Sequence, residues 1–337
     1  MKVLLRADAS PLQGTGHVMR CLTLAEELKS RGHEVLFLTN ESRLDWLEKV
    51  IAQSSLPVLR TTQHSMNFNE VSELGPDWVV TDSYEIDAGD ISAIHSQRHV
   101  MAIVDGNDRG IEASLYLDHN LGAELGSWSE TTRNRLLLGN KFALIRDAIL
   151  QQRRVQPGLI QGVVPHIVAV MGGSDPTGII VQVASALAKI NRDFTASIVV
   201  DRNWRDHVEN TLEGKSGFQI LAPTAELPAI LGRADIAVSA SGTSAWELCT
   251  LGIPSLLIAV VENQCESLAR LVEKKLAFGL DLAQGGSETA EANIVKSVTC
   301  LLNSRHEREK LSYGCLQSYD GRGKERVVAA MEAIGAP

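Results

Sequence analysis

The chain has no run of apolar residues near the ~20 that a bilayer-spanning helix requires, so no membrane insertion is expected. Its first residues, Met-Lys-Val-Leu-Leu-Arg-Ala-Asp, reach an acid too early to be read as a secretory leader, and a cytoplasmic location is the expectation. Cysteine is scarce and unpaired by spacing: Cys21, Cys249, Cys265, Cys300 and Cys315 form no Cys-x-x-Cys, which excludes a disulfide framework and points to reduced thiols. The nine histidines are dispersed, none at metal-ligand spacing with a cysteine. Basic charge is in deficit, with a net charge of −9, which argues against a nucleic acid or an anionic membrane as the main partner. Phosphate-binding, zinc-protease and serine-hydrolase signatures are absent, as is an Asp-x-Asp pair for a metal–diphosphate. A metal-independent mechanism with no cofactor is the expectation.

What the sequence does contain is an α/β alternation along nearly all of its 337 residues. That length exceeds what one core usually supports, so two domains are expected. Strands are predicted near 2–7, 34–39, 77–81, 99–104 and 113–117, with helices near 17–31, 43–53 and 87–96. The pattern breaks at Gln151-Gln-Arg-Arg-Val-Gln-Pro-Gly158, and 151–164 is read as a linker between domains 1–150 and 165–337. It restarts with a strand at 166–171, a helix at 177–190, and strands near 195–200, 218–221, 235–239 and 254–259. A final helix follows Asp320-Gly-Arg-Gly323 and could return to the first domain. Each half therefore opens with strand, glycine loop and helix, the signature of two doubly wound parallel sheets. Two such domains facing one another would put both glycine loops at a shared cleft.

The first loop is Gly14-Thr15-Gly16-His17, followed by Val18, Cys21, Leu22, Ala25 and Leu28 at helical spacing. Its glycines permit close backbone approach and its helix start offers unpaired N–H groups to an anion. The alternative is a tight turn with His17 as a cap; the third glycine of a dinucleotide fingerprint is missing, because Met19 stands there. Cys21, one turn from His17, reads as a packing residue. In the second half, Ser239, Ser241, Gly242, Thr243 and Ser244 lie between a strand and a helix, a donor set suited to a diphosphate. Glu247, one turn on, can accept from vicinal hydroxyls such as a ribose offers. A capped helix would account for one of those hydroxyls but not for four beside a glycine. Glu262-Asn263-Gln264 supplies a carboxylate and two amides suited to sugar hydroxyls, or a polar helix cap. Gly172-Gly173-Ser174 is a turn or an anion nest.

Together these segments resemble the UDP-2,4-diacetamido-2,4,6-trideoxy-β-L-altropyranose hydrolases of pseudaminic acid biosynthesis. The resemblance is carried by Arg6-Ala-Asp-Ala-Ser10, Gly14–Ala25, Asp82-Ser-Tyr84, Val104-Asp105 with Asp108-Arg109, Leu117-Asp-His-Asn-Leu121, Gly172-Gly-Ser-Asp-Pro176, Ser239–Pro254, Glu262-Asn-Gln264 and Asp320–Gly323. It implies a GT-B-like fold of two Rossmann-type domains facing a central cleft, and a small-molecule UDP-sugar substrate. It also implies residue roles. His17 would be the catalytic histidine, with Tyr84 beside it in the sugar pocket, and Gly14, Thr15 and Gly16 would form the loop under the substrate. Gly173, Ser174, Ser241, Gly242 and Thr243 would hold the diphosphate, and Glu247 the ribose. Asn263 and Gln264 would read the sugar, and backbone near Thr224 the uracil. The chain departs from the family pattern at Ala240-Ser-Gly-Thr243, at Asp118-His-Asn120, where Asp-Gln-Asn is frequent, and at Gly178, often asparagine.

The implied reaction is inverting attack of water on the anomeric carbon with departure of UDP. The rival readings are a glycosyltransferase or a UDP-sugar 2-epimerase on the same scaffold, and a nucleotide-sugar sensor without turnover. No amphipathic docking segment for a lipid acceptor is evident. Nothing in the sequence requires more than a monomer.

Overall fold

The computed structural model describes residues 1–10, 14–40, 42, 44–63, 66–160, 162–173 and 175–335, the side chains of Leu125 and Ser287 excepted. The chain divides into two compact units, Met1–Arg146 with Gly321–Pro337, and Asp147–Asp320.

The first unit is built on β1 (Lys2–Ala7), β2 (Glu34–Thr39), β3 (Val58–Arg60), β4 (Trp78–Asp82), β5 (His99–Ile103), β6 (Leu115–Asp118) and β7 (Leu136–Leu138). They form one sheet in the order β3-β2-β1-β4-β5-β6-β7, every pair parallel. A parallel sheet is covered on both faces, so its strands are continuous apolar runs; β4, Trp-Val-Val-Thr-Asp, is buried at every position. The helices are α1 (Gly16–Ser30), α2 (Asp45–Gln53), α3 (Phe68–Leu74) and α4 (Ala88–His95). Val18, Cys21, Leu22, Ala25 and Leu28 of α1 all face the core, as their spacing predicts. Asp87 caps α4 by accepting from the Gly89 and Asp90 amides.

The second unit holds β8 (His166–Val170), β9 (Thr195–Val199), β10 (Phe218–Leu221), β11 (Ile236–Ala240), β12 (Ser255–Ala259) and β13 (Phe278–Asp281), in the order β10-β9-β8-β11-β12-β13, again all parallel. Its helices are α5 (Asp147–Leu150), α6 (Ile179–Ala188), α7 (Arg205–Thr211), α8 (Leu227–Gly232), α9 (Thr243–Leu251), α10 (Cys265–Glu273), α11 (Ser287–Asn303) and α12 (Arg305–Ser318). Among the described residues no helix is long and apolar enough to cross a membrane.

The segment expected to be a linker clusters with the second unit instead. Its polar residues bind carbonyls: Arg153 donates to Thr250 O at 2.9 Å and Leu316 O at 2.8 Å, and Arg154 donates to Ala234 O. Gly158 lies so close to α12 that a Cβ there would stand 2.5 Å from the Glu309 amide nitrogen. Composition alone cannot separate a solvated linker from arginines spent on helix ends.

The last helix, α13 (Gly323–Gly335), belongs to the first unit: Val327, Val328 and Met331 are fully buried in the core that holds α1. Its first residue sits against backbone, where an added Cβ would be 2.1 Å from Ala143 O. Gly323→Ala is therefore expected to destabilise the protein by about 1–3 kcal/mol, the usual cost of overpacking against atoms that cannot move aside. Chemical denaturation compared with wild type checks this, and an unchanged midpoint would refute the close packing.

Candidate active site

Each sheet winds outward from a central strand and then resumes on that strand's other side. The switch falls between β1 and β4 in the first unit and between β8 and β11 in the second. Loops leaving the carboxyl ends of such a pair diverge, and ligands of open α/β sheets bind there.

At the first switch, Gly14 N donates to Ser10 O at 2.9 Å, with Gly14 at φ +80°, a region favouring glycine. Thr15 is the N-cap of α1, with no side-chain capping bond, and His17 is the second residue of the helix. The expectation of a cap at His17 thus gives way to Thr15, leaving the imidazole for other contacts. Asp82, the last residue of β4, lies beneath it: His17 Nδ1 is 2.7 Å from Asp82 Oδ1. Arg20, one turn along α1, donates to both Asp82 oxygens, through Nη2 to Oδ1 at 2.5 Å and through Nε to Oδ2. Its Nη1 faces His119 Nε2 at 3.2 Å.

These charges are sealed from water. The Asp82 side chain is 0% exposed, whereas that of His17 is 16% exposed. Burial alone would push the Asp82 carboxyl up, but the Arg20 guanidinium and His17 hold it well below the ordinary carboxylate range. Burial likewise opposes the charge on Arg20, yet Asp82 raises its pKa further. An ionised Asp82 can only accept, so Nδ1 of His17 donates to it, and in the neutral ring the lone pair lies on Nε2. His119, fully buried, is brought down to about 3 by burial and then by the Arg20 charge, so it is neutral and accepts from Arg20.

Tyr84 packs edge-on against His17 with ring centroids 5.2 Å apart. Its hydroxyl donates to Asp105, which also accepts from Asn120 Nδ2 at 2.7 Å. Burial and the neighbouring Asp105 push the phenol upward, so Tyr84 keeps its proton at neutral pH. Asp105 itself is held low: burial opposes its charge, but Arg20, Tyr84 and Asn120 favour it. The Arg109 guanidinium lies 5.3 Å from the Tyr84 ring centroid and donates to Ser83 O at 3.0 Å.

At the second switch, pairing of Ile236 with Ile167 through Ser239 with Val170 brings the ends of β8 and β11 side by side. Gly172, at φ +78°, and Gly173 turn away from β8; Ser174 lies outside the described residues. Ser241, Gly242 and Thr243 follow β11. Gly242 is the N-cap of α9 and makes no side-chain capping bond. The Ser241 hydroxyl is buried, and no hydrogen-bond partner for it exists among the described residues. Gln264 reaches the same spot: its Oε1 accepts from Val260 N at 2.9 Å, and its Nε2 lies 3.6 Å from where a Cβ on Gly242 would be. Glu247 is half-buried on α9, and Asn263 is exposed in the 3₁₀ turn Glu262–Gln264. Thr224 stands apart, beyond the edge strand β10, with its hydroxyl accepting from Glu226 N at 3.2 Å. Gly178, at φ +68°, touches Trp204, whose ring would be 2.6 Å from an added Cβ. An asparagine at that position would require the Trp204 ring to shift.

Sequence reasoning gave no role to Asp82, Arg20, His119, Asp105 or Asn120. The available signal was position: Asp82 and Asp118 each close an apolar strand, and Arg20 is three residues from His17 on one helix face. Among the described residues no group of three or more His, Cys, Asp or Glu side chains is placed to hold a metal ion.

No protein-family model matches the chain. The chain is 23% identical over 345 residues to the spore coat polysaccharide biosynthesis protein SpsG of Bacillus subtilis, covering 99% of this chain and 98% of that protein. The structure is similar to that of MurG from Acinetobacter baumannii, with a TM-score of 0.69 and 13% identity over 98% of this chain and 99% of that one. It is also similar to UDP-GlcNAc 2-epimerase from Neisseria meningitidis, solved with UDP-GlcNAc bound, with a TM-score of 0.65 and 14% identity over 98% and 99%. The fold is thus the GT-B type expected, two parallel-sheet α/β domains, and the full-length similarity to SpsG is consistent with the family resemblance.

His119 makes stability depend on pH. Its folded pKa lies below its unfolded value of 6.5, so the unfolded chain binds the proton first. The stability present above 6.5 is expected to fall as pH drops toward about 3, the folded value, with a slope approaching ~1.4 kcal/mol per pH unit from this group. His119→Gln should flatten that part of the denaturation-midpoint profile; a profile of unchanged slope would refute the assignment.

Proposed function

We propose that this chain is a nucleotide-sugar hydrolase that cleaves a UDP-linked 2,4-diacetamido-2,4,6-trideoxyhexose at its anomeric carbon, without a metal, giving free sugar and UDP with inversion. The observation that carries this reading is the His17 imidazole, its Nδ1 2.7 Å from Asp82 Oδ1 and its side chain partly exposed, which in the neutral ring leaves Nε2 to accept a proton. In the proposed step a water gives its proton to Nε2 as its oxygen bonds to the anomeric carbon. The bond from that carbon to the diphosphate oxygen breaks, and UDP leaves with the electron pair. Asp82 holds the tautomer and stabilises the imidazolium that forms. Tyr84, its proton committed to Asp105, orients the sugar rather than exchanging protons.

The second unit supports the nucleotide half of the reading. Ser241 Oγ is a buried donor without a partner, beside the amides opening α9, and an anion supplies the missing acceptor. Thr243 and Gly173 extend that cradle, with Ser174 assigned to it by the family resemblance alone; Glu247 takes the ribose hydroxyls, and Asn263 and Gln264 read the sugar. The backbone near Thr224 takes the uracil. These uncharged donors suit a chain of net charge −9.

His17→Ala is expected to lower kcat for UDP release by ~10²–10⁴-fold, the usual contribution of a general base, with UDP affinity unchanged. Release of UDP and free sugar at the wild-type rate would end the proposal. Ser241→Ala is expected to weaken UDP binding by roughly 10–100-fold, the loss of one charge-assisted hydrogen bond; calorimetry with UDP measures it. Donor supplied with no acceptor separates hydrolysis from transfer, because a transferase stalls. Proton NMR of the released sugar reveals any change at C2, the mark of an epimerase.

A further inference from the structure

Arg20 touches no atom that the proposed chemistry moves, yet among the described residues every hydrogen-bond contact of its guanidinium is to this cluster. Nε and Nη2 grip the two Asp82 oxygens, and Nη1 faces His119 Nε2 at 3.2 Å. Asp82 Oδ1 is shared: Arg20 Nη2 reaches it at 2.5 Å and His17 Nδ1 at 2.7 Å. Arg20 Nη2 also lies 3.0 Å from Nδ1, so the two donors crowd one oxygen. A guanidinium is a rigid plane. Fixing its third nitrogen therefore fixes the plane of the Asp82 carboxylate, and that plane decides where the imidazole points.

We propose that His119 and Arg20 form a positioning relay in which a buried neutral acceptor at 119 orients the Arg20 fork, the fork orients Asp82, and Asp82 aims His17. This rests on the reading of His17 as the base. His119 has the burial the role requires, at 0% exposed, and it sits on the turn after β6, between Asp118 and Asn120. The other charged or titratable groups around the cluster are Tyr84 and Arg109 from the loops beyond β4 and β5, Asp105 after β5, Asp118 at the end of β6, and Cys21 on α1. Among the described residues none of them accepts from Arg20 Nη1. The role asks only for a lone pair at 119, not for a titrating ring, so glutamine can fill it and leucine cannot.

The experiment compares His119→Leu, His119→Gln and Arg20→Gln in the full chain. It measures kcat and KM for UDP release across pH, with UDP affinity and thermal midpoint for each variant. His119→Leu is expected to lower kcat on the order of 10²-fold, the cost of an imidazole displaced by about an ångström, with UDP affinity unchanged. His119→Gln is expected to restore most of that loss and the wild-type pH profile. Arg20→Gln is expected to move the acidic limb of the kcat profile to higher pH, because Asp82 then serves the imidazole alone. If His119→Leu does not fold, His119→Gln and Arg20→Lys decide. The lysine keeps the charge but loses the fork, so it should lose kcat where the glutamine at 119 does not.

Wild-type kcat in His119→Leu overturns the relay. So does a His119→Gln no better than His119→Leu, which would give the ring proton a role of its own. A loss in Arg20→Gln with no movement of the pH profile reduces Arg20 to a structural ion. Full activity in His17→Ala, by contrast, defeats the base reading itself, so the two failures are distinguishable.

Discussion

A single carboxylate, Asp82, governs the first unit. It ends a strand buried at every position, in surroundings where an unpaired charge costs several kcal/mol. It stays ionised because α1 delivers Arg20 and His17 to it from one helix face, three residues apart. Arginine cannot shed its proton, so the pair cannot escape its cost by neutralising. Folding of β1, α1 and β4 and assembly of the candidate base are therefore the same event. The apolar face of α1 carries Arg20 and His17 to the acid, and the buried acid is tolerable only where that helix is docked.

On the proposed reading, the two units use one topology for opposite electrostatic purposes. At the β1/β4 switch the sheet presents formal charges, sealed beneath an imidazole and a half-exposed phenol. At the β8/β11 switch the groups are mostly neutral, a buried serine hydroxyl, a glycine N-cap, a threonine and a glutamine amide, and the buried Asp175 carboxylate accepts from the Ile179 and Ile180 amides. Neutral donors hold an anion without the desolvation cost of a buried lysine, and they release it more readily. A base site needs fixed charge to set a tautomer, whereas a site for a leaving group needs donors that tolerate its departure.

Much of this was legible in the sequence, for physical reasons. Parallel strands are apolar throughout, so β1, β2, β8 and β11 stood out as runs, and α1 declared itself by its stripe. The three-residue edge strands β3 and β7 were missed because three residues carry no periodicity. β13 was missed because Gly279 interrupts it, a glycine required by the approach of Val272, 2.4 Å from where its Cβ would be. His17 and the Ser241–Thr243 run were visible because glycines and hydroxyls mark loops. Asp82, Arg20 and His119 were not, because their partnership spans 62 and 99 residues and only the sheet order joins them. The arginines at 153 and 154 misled for the same reason: a charged side chain looks solvated until its carbonyl partners are known.

Charge balance within the first cluster favours the direction of proton transfer that hydrolysis needs. Arg20 lies against the carboxylates of Asp82 and Asp105, with Asp118 beside Asp105 and Arg109 over the Tyr84 ring, while His119 and Tyr84 are neutral. With Asp118 ionised, the resting cluster carries one negative charge too many, spread over groups that water cannot reach well. A proton arriving at His17 removes that excess without moving any of the groups that hold it. A catalyst that protonates its leaving group would need the reverse, a cluster balanced only after the imidazole has lost its proton. On the proposed reading, burial of Asp82 at the end of β4 thus does more than orient a ring: it keeps in place a charge that a proton taken from water would offset.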